Sequence, residues 1–236
     1  MCFRSVDIAI WVAVPLLACA QESLHVAEPD KPVDTVPAIS NDRILGVIPN
    51  FQTVSAPTAA YTPLRVRDKW KLFVKESVDP YTFASAAAGA ALSQWHDGAP
   101  NYGVGTEPYL QRFGAAQADV TTQNFFSDAV LASLLHEDPR YFRKGPEFSL
   151  LYRIGYAMSR IVITRKDSGK NGISYSGILG TGLGIALSNA YYPPSSVSGG
   201  ENESRIVTSL TANALGNLLP EFWPDVKAKL DRLRHR

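Results

Sequence analysis

Cysteine is almost missing from this chain, and its positions exclude what cysteine usually builds. Among 236 residues only Cys2 and Cys19 occur. Both lie near the N-terminus, so neither an intrachain disulfide framework nor a Cys-ligated zinc site is expected in the folded part. Histidine is also scarce. Of the four, His25 and His235 lie in tail segments, leaving His96 and His136; a usual zinc site needs more, and neither a metal nor a cofactor is expected. An excess of one charge is lacking as well. The 23 Lys and Arg against 22 Asp and Glu give a net charge of +1, which argues against a globally basic nucleic-acid binder. Nucleotide loops are absent too. Gly180-Thr-Gly182-Leu-Gly184 puts Ile185 where a third dinucleotide-type glycine should stand, and no Gly-Lys-Ser/Thr element occurs.

What the chain does have begins with a leader. Arg4 precedes an apolar run from Ile8 to Ala20 ending in Ala18-Cys19-Ala20 before Gln21, a small-residue site that a signal peptidase could cut. Leu16-Leu17-Ala18-Cys19 also reads as a lipobox. Acylation of Cys19 would tether the protein to a membrane, each buried methylene contributing about 0.8 kcal/mol. The run is shorter than the roughly 20 residues of a spanning helix, and Pro15 interrupts it. Residues 1–20 are therefore expected to be a signal peptide or lipoprotein leader. The mature protein is expected outside the cytoplasm: periplasmic, outer-membrane associated or secreted.

Residues 21–62 read as an extended arm, because Pro29, Pro32, Pro37, Pro49 and Pro57 recur too often for a helix to persist. Within it, Ile44-Leu-Gly-Val-Ile48 is expected to dock on the domain as a loop or short strand. Residues 63–236 read as an all-α domain, a single bundle of about six helices. Thr62-Pro63 suggests a first helix with Trp70, Phe73 and Val74 inward and Arg67, Lys69, Lys71 and Lys75 wet. A second runs from Pro80 to about Trp95 with Ser85, Gly89 and Ser93 as a close-packing face, and a third from Glu107 to Glu137. Others are expected over Phe148 to Thr164, Tyr175 to Tyr192 and Ser204 to Leu219, with Phe222-Trp-Pro224 as a turn before a short basic helix. The small-residue rods Ala84 to Ser93 and Gly177 to Ser188, each leading to a helix with a Leu-Leu pair, suggest a degenerate duplication. In the second rod Gly177, Thr181, Gly184 and Ser188 form a ridge suited to close helix packing. A polytopic membrane protein is disfavoured by Asp119 and Arg153 at mid-helix.

Two constellations carry chemistry. His136, Glu137 and Asp138 are adjacent, and the carboxylates could orient the imidazole for general-base work. The alternative is plain: a cation at a helix C-terminus meets the dipole, and Asp138-Pro139 ends the helix. The second is the basic belt from Arg140 to Lys170, eight basic residues against Glu147 and Asp167. Its arginines Arg140, Arg143, Arg153, Arg160 and Arg165 suit phosphate or carboxylate recognition. They equally suit ion pairs with Asp119, Asp128, Glu137 or Asp167. Ser159-Arg160 resembles part of a motif of Mg-independent lipid phosphatases, but Lys166 stands where that motif requires His.

The runs Arg43-Ile-Leu-Gly-Val-Ile-Pro-Asn-Phe51, His136-Glu-Asp-Pro-Arg-Tyr-Phe142, Ser159-Arg-Ile-Val-Ile-Thr-Arg165 and Ser188-Asn-Ala-Tyr-Tyr-Pro193 resemble a family of uncharacterised bacterial envelope proteins with a signal peptide. The resemblance implies an exported bacterial helical protein and no catalytic residue. Two functions follow as expectations. One is a structural or ligand-binding envelope protein whose basic belt meets anionic lipid or another anionic envelope component. The other is a hydrolase acting on a phosphate-containing substrate through His136 and the arginine cluster, which requires those side chains to converge on one cleft.

Overall fold

Asp79-Pro80 shows how local chemistry starts a helix here. The Asp79 carboxylate accepts the backbone N–H of Tyr81 at 2.9 Å, and Pro80 occupies the first turn of Pro80–Trp95. The structure, a computed structural model, describes residues 41–55, 61–96, 98 and 100–234. The leader with Cys19, and most of the arm, lie outside the described residues. The helices are α1 (Val66–Ser77), α2 (Pro80–Trp95), α3 (Thr106–Asn124), α4 (Leu150–Ser159), α5 (Tyr175–Ser188), α6 (Gly199–Gly216) and α7 (Leu218–Arg234). After α3 the chain continues as a π-helix, Phe125–Leu131, and returns to α geometry over Ala132–Leu134. Among the described residues no helix is long and apolar enough to cross a membrane.

The fold is mostly helical with small sheets, so the all-α expectation is corrected. β1 (Arg43–Ile44) and β2 (Ile48–Pro49) form an antiparallel hairpin in the Ile44 to Ile48 patch, and this part of the arm is folded. β3 (Thr53–Val54) pairs in parallel with β5 (Tyr141–Phe142). β4 (Glu137–Asp138), β6 (Ile163–Lys166) and β7 (Asn171–Ile173) make an antiparallel three-stranded sheet. The helices expected to reach Thr164 and Glu137 therefore stop at Ser159 and Leu134. Ile161, Val162, Ile163 and Thr164 are β-branched and suit an extended chain better than a last helical turn. Gly169, at φ +84°, turns β6 into β7 where a side chain would be strained. The expected turn at Phe222-Trp-Pro224 is instead interior to α7, which keeps Pro224 within it.

Small residues set the packing. α5 lies on α3 and the π-helix, and α2 also packs on α3. A Cβ added to Gly180 would stand 2.6 Å from the backbone N and Cα of Ser127, and one on Gly184 would stand 3.0 Å from those of Gln123. Only glycine allows this approach. Of the ridge expected on α5, Thr181, Gly184 and Ser188 are buried. On α2 the buried face is Thr82, Ala86 and Ala90, not Ser85, Gly89 and Ser93. An alanine-rich helix has small residues all round, so its pattern does not say which side packs.

Polarity inside and outside departs from expectation. Lys69, assigned to the wet side, is fully buried; its Nζ donates to the Ala132 carbonyl at 3.1 Å and to both carboxylate oxygens of Asp167, at 3.0 and 2.9 Å. Trp70 and Val74, assigned inward, are exposed, as are Val120, Leu134 and Leu135. The interior of these helices is filled by Leu72, Ala115, Ala129 and Ala132, with paired charges between elements.

Candidate functional site

A cavity of about 340 Å³ opens between the π-helix, β6, the start of α5 and the C-terminal half of α6. Such a volume is at the small end for small-molecule sites. Gln52, Asn124, Ser127 and Asp128 supply part of its wall, and Arg140, Tyr141, Arg160 and Thr164 another part. The remainder includes Ser176 and Thr181 of α5 with Asn213 and Asn217 of α6. The close contact of Gly180 with Ser127 brings the π-helix against α5 and so fixes Asp128 in this wall. Segments of π-helix occur often at functional sites, because the extra residue per turn re-aims side chains.

The expected site residues are dispersed. His136 follows the helix end at φ +53°, its imidazole is 81% exposed, and its Nδ1 lies 3.7 Å from Asp167 Oδ2. It does not line the cavity. Glu137 is fully buried and serves the start of α5: its carboxylate accepts the N–H of Tyr175 at 3.3 Å and of Ser176 at 3.0 Å, the Ser176 hydroxyl at 2.7 Å and Lys166 Nζ at 2.6 Å. An anion there satisfies the orphan donors of a helix start. Asp138 is also buried and receives Arg140, Nε at 3.0 Å and Nη2 at 2.7 Å. Three consecutive residues thus have three separate surroundings, one wet and two within structural pairs.

Three of the belt arginines are neutralised within the fold. Arg140 pairs with Asp138, Arg143 with Asp225 at 2.6 Å, and Arg153 with Glu221 at 2.7 Å and Asp225 at 2.6 Å. Glu221 is fully buried and also accepts the Tyr141 hydroxyl at 2.7 Å. The ion network was legible as a class, but its hubs Glu221 and Asp225 were not. They lie on α7, far along the sequence, and no local spacing joins them to the belt.

Arg160 and Arg165 differ: among the described residues neither forms an ion pair. The Arg165 guanidinium lies 4.1 Å from the Phe142 ring centre and 5.1 Å from that of Tyr61. Arg160 faces the Tyr156 ring at 5.4 Å, and its Nη1 reaches the Asn171 side-chain oxygen at 3.4 Å. Burial pulls its pKa down and the Arg165 charge adds to that, while Tyr156, Tyr141 and Asp138 oppose it only in part. Among the described residues no carboxylate pairs with it, and Asp138, whose charge it feels, is already paired with Arg140. Elsewhere in the wall the situation reverses. Gln52 Nε2 donates to Glu76 Oε2 at 2.7 Å and to Asp128 Oδ2 at 3.0 Å. Two carboxyl groups thus meet at one amide nitrogen. Burial first, and the Asp128 charge second, raise Glu76 to about 8. Burial raises Asp128 to about 6, against hydrogen bonds from Ser127 and Gln52 that lower it. A group with such displaced titration that lines a cavity is a functional candidate, and of the two only Asp128 lines it.

Of the residues singled out from sequence, the cavity gathers Arg140 and Arg160 and leaves out His136, Glu137, Asp138, Arg143, Arg153 and Arg165. Asp128 and Gln52 went unremarked as site residues, and only an acid and an amide on packed elements could have signalled them. Among the described residues no group of three His, Cys, Asp or Glu is placed to hold a metal ion. Comparison with family models, with curated proteins and with solved structures finds no match.

Proposed function

We propose that this chain is an exported, envelope-associated protein whose cavity binds an anionic group, phosphate or carboxylate, at Arg160. The observation that carries the reading is the Arg160 guanidinium, placed in a polar cavity with no carboxylate partner among the described residues. A partly buried charge without a counter-charge is costly, and an incoming anion offsets that cost. The guanidinium fork suits bidentate capture of phosphate or carboxylate. The belt as a whole is a weaker candidate for a lipid surface, because Arg140, Arg143 and Arg153 are already paired. Lipid nonetheless remains one source of the anion. Leu179, Leu183 and Leu187 repeat every four residues on α5 and are each about half exposed, an arrangement that suits contact with an apolar phase.

Titration calorimetry with inorganic phosphate, beside sedimentation with vesicles of phosphatidylcholine with and without phosphatidylglycerol, tests the reading. Binding to phosphate or to anionic vesicles is expected, and Arg160→Gln should weaken it about tenfold, as for loss of a charge-assisted hydrogen bond. Binding to phosphate alone assigns a soluble ligand, and binding to anionic vesicles alone assigns a headgroup. If neither binds, or Arg160→Gln binds as well as the native chain, the reading fails. His136→Ala should leave binding intact; an accompanying loss of phosphoester cleavage would instead support the hydrolase alternative.

A further inference from the structure

The wall that carries Asp128 has no role in capturing an anion. We propose that the cavity takes a two-ended ligand, a small zwitterion whose phosphate or carboxylate meets Arg160 and whose ammonium group meets Asp128. The inference rests on the anion reading and adds the chemistry of the other end. Asp128 lines the same cavity as Arg160. Its Oδ1 accepts the Ser127 hydroxyl at 2.9 Å and its Oδ2 accepts Gln52 Nε2 at 3.0 Å, two neutral donors on a group with about four acceptor positions. Gln52 brings no charge, and its other hydrogen bond from Nε2 goes to a second acid, Glu76. Among the described residues Asp128 has no ion pair. The cavity thus holds one uncompensated guanidinium and one uncompensated carboxyl in walls from different elements. A ligand with a single negative charge satisfies only the first and adds repulsion at the second. A zwitterion satisfies both, and the asparagines Asn124, Asn213 and Asn217 of the wall can donate to its remaining phosphate or carboxylate oxygens.

The test compares O-phosphoethanolamine with propyl phosphate, which has the same length and phosphate but ends in a methyl group. Calorimetry with the native chain is expected to show both bound and phosphoethanolamine at least tenfold tighter. Asp128→Asn should bring the two within about twofold, whereas Arg160→Gln should weaken both. Equal affinity of the two probes for the native chain overturns the zwitterion proposal and leaves the anion reading standing. That comparison needs no variant, so it decides even if Asp128→Asn does not fold. Vesicles containing phosphatidylethanolamine form the last arm. Binding to them, and not to the soluble probe, supports the proposal with a lipid headgroup as source. Failure of soluble probes and vesicles alike overturns both readings.

Discussion

At Glu76, burial and the nearby Asp128 act in the same direction, and hydrogen bonding from Gln52 with the charge of Lys75 opposes them only in part. Asp79 adds to the rise. A carboxyl group with a folded pKa above its unfolded value binds more protons when folded, so stability falls as pH rises between the two values. For Glu76 that window runs from the ordinary carboxylate range near 4.5 to about 8, and for Asp128 from 3.8 to about 6. Thermal melts should therefore show a midpoint that drops between pH 5 and pH 8.5. Glu76→Gln removes the charge and keeps the shape, so its melts should be flatter with pH. At pH 8.5 its midpoint should lie above the native one by about 2–4 °C, the shift that each kcal/mol gives in a domain of this size. A native profile that rises over this range would mean that Glu76 does not keep its proton above the ordinary carboxylate range.

The elements were readable wherever one residue type forces a local geometry. Asp79-Pro80 marked the boundary between α1 and α2, because a proline halts the helix before it and, with an acid at the cap, fits the first turn of the next. The α5 ridge was readable in part: Thr181, Gly184 and Ser188 are buried as expected, whereas Gly177 is not and Gly180, which makes the closest approach to neighbouring backbone, lies beside the expected ridge. Elsewhere the pattern was ambiguous. The run from Ser159 to Lys166 has apolar residues that fit either a helical turn or a strand, and pairing with Glu137 and Asp138 decides for strand. The π-helix has no sequence mark at all, since Phe125 to Leu131 continues the periodicity of α3. Within the site, arginines stood out because five occur in one stretch, whereas Asp128 was read only as an ion-pair partner for them and Gln52 not at all, until the fold joined the π-helix to the segment before β3. Gly180 makes that junction. Gly180→Ala would place a methyl group 2.6 Å from the Ser127 backbone, and backbone cannot rotate away as a side chain can. The expected loss is about 1–3 kcal/mol in urea unfolding, with weaker phosphate binding because Asp128 and the cavity wall shift with Ser127. Gly182→Ala, where nothing lies within 4 Å, should cost nothing and instead gain helix propensity. Equal effects at the two positions would show that α5 does not press on the π-helix.

The whole molecule places charge inside and leucine outside to an unusual degree. Lys69, Arg112, Glu137, Asp138 and Glu221 are at most 1% exposed, while Leu92, Leu151, Leu230 and Leu233 are more than half exposed. Buried ion pairs contribute little net stability, since desolvation offsets most of their attraction. Their value lies in holding elements in one arrangement: Glu221 ties α7 to α4 and β5, and Asp167 ties β6 to α1. The leucines are a different matter. Each costs free energy in water, at roughly 25 cal/mol per Å² of apolar surface, and a contiguous row of them marks a surface that something covers. Under the envelope reading the row on α5, Leu179, Leu183 and Leu187, rests on the apolar edge of a bilayer. Changing all three to Ser should then lower sedimentation with phosphatidylglycerol vesicles by about tenfold, since each leucine would lose the transfer energy of its side chain. The same variant should keep the native midpoint in urea to within about 1 kcal/mol, because those side chains are already half exposed. Binding of the soluble phosphoester should persist, as the row does not line the cavity. Unchanged vesicle binding would assign the row to contact with another protein chain, and a sharp fall in stability would show that it packs within the fold.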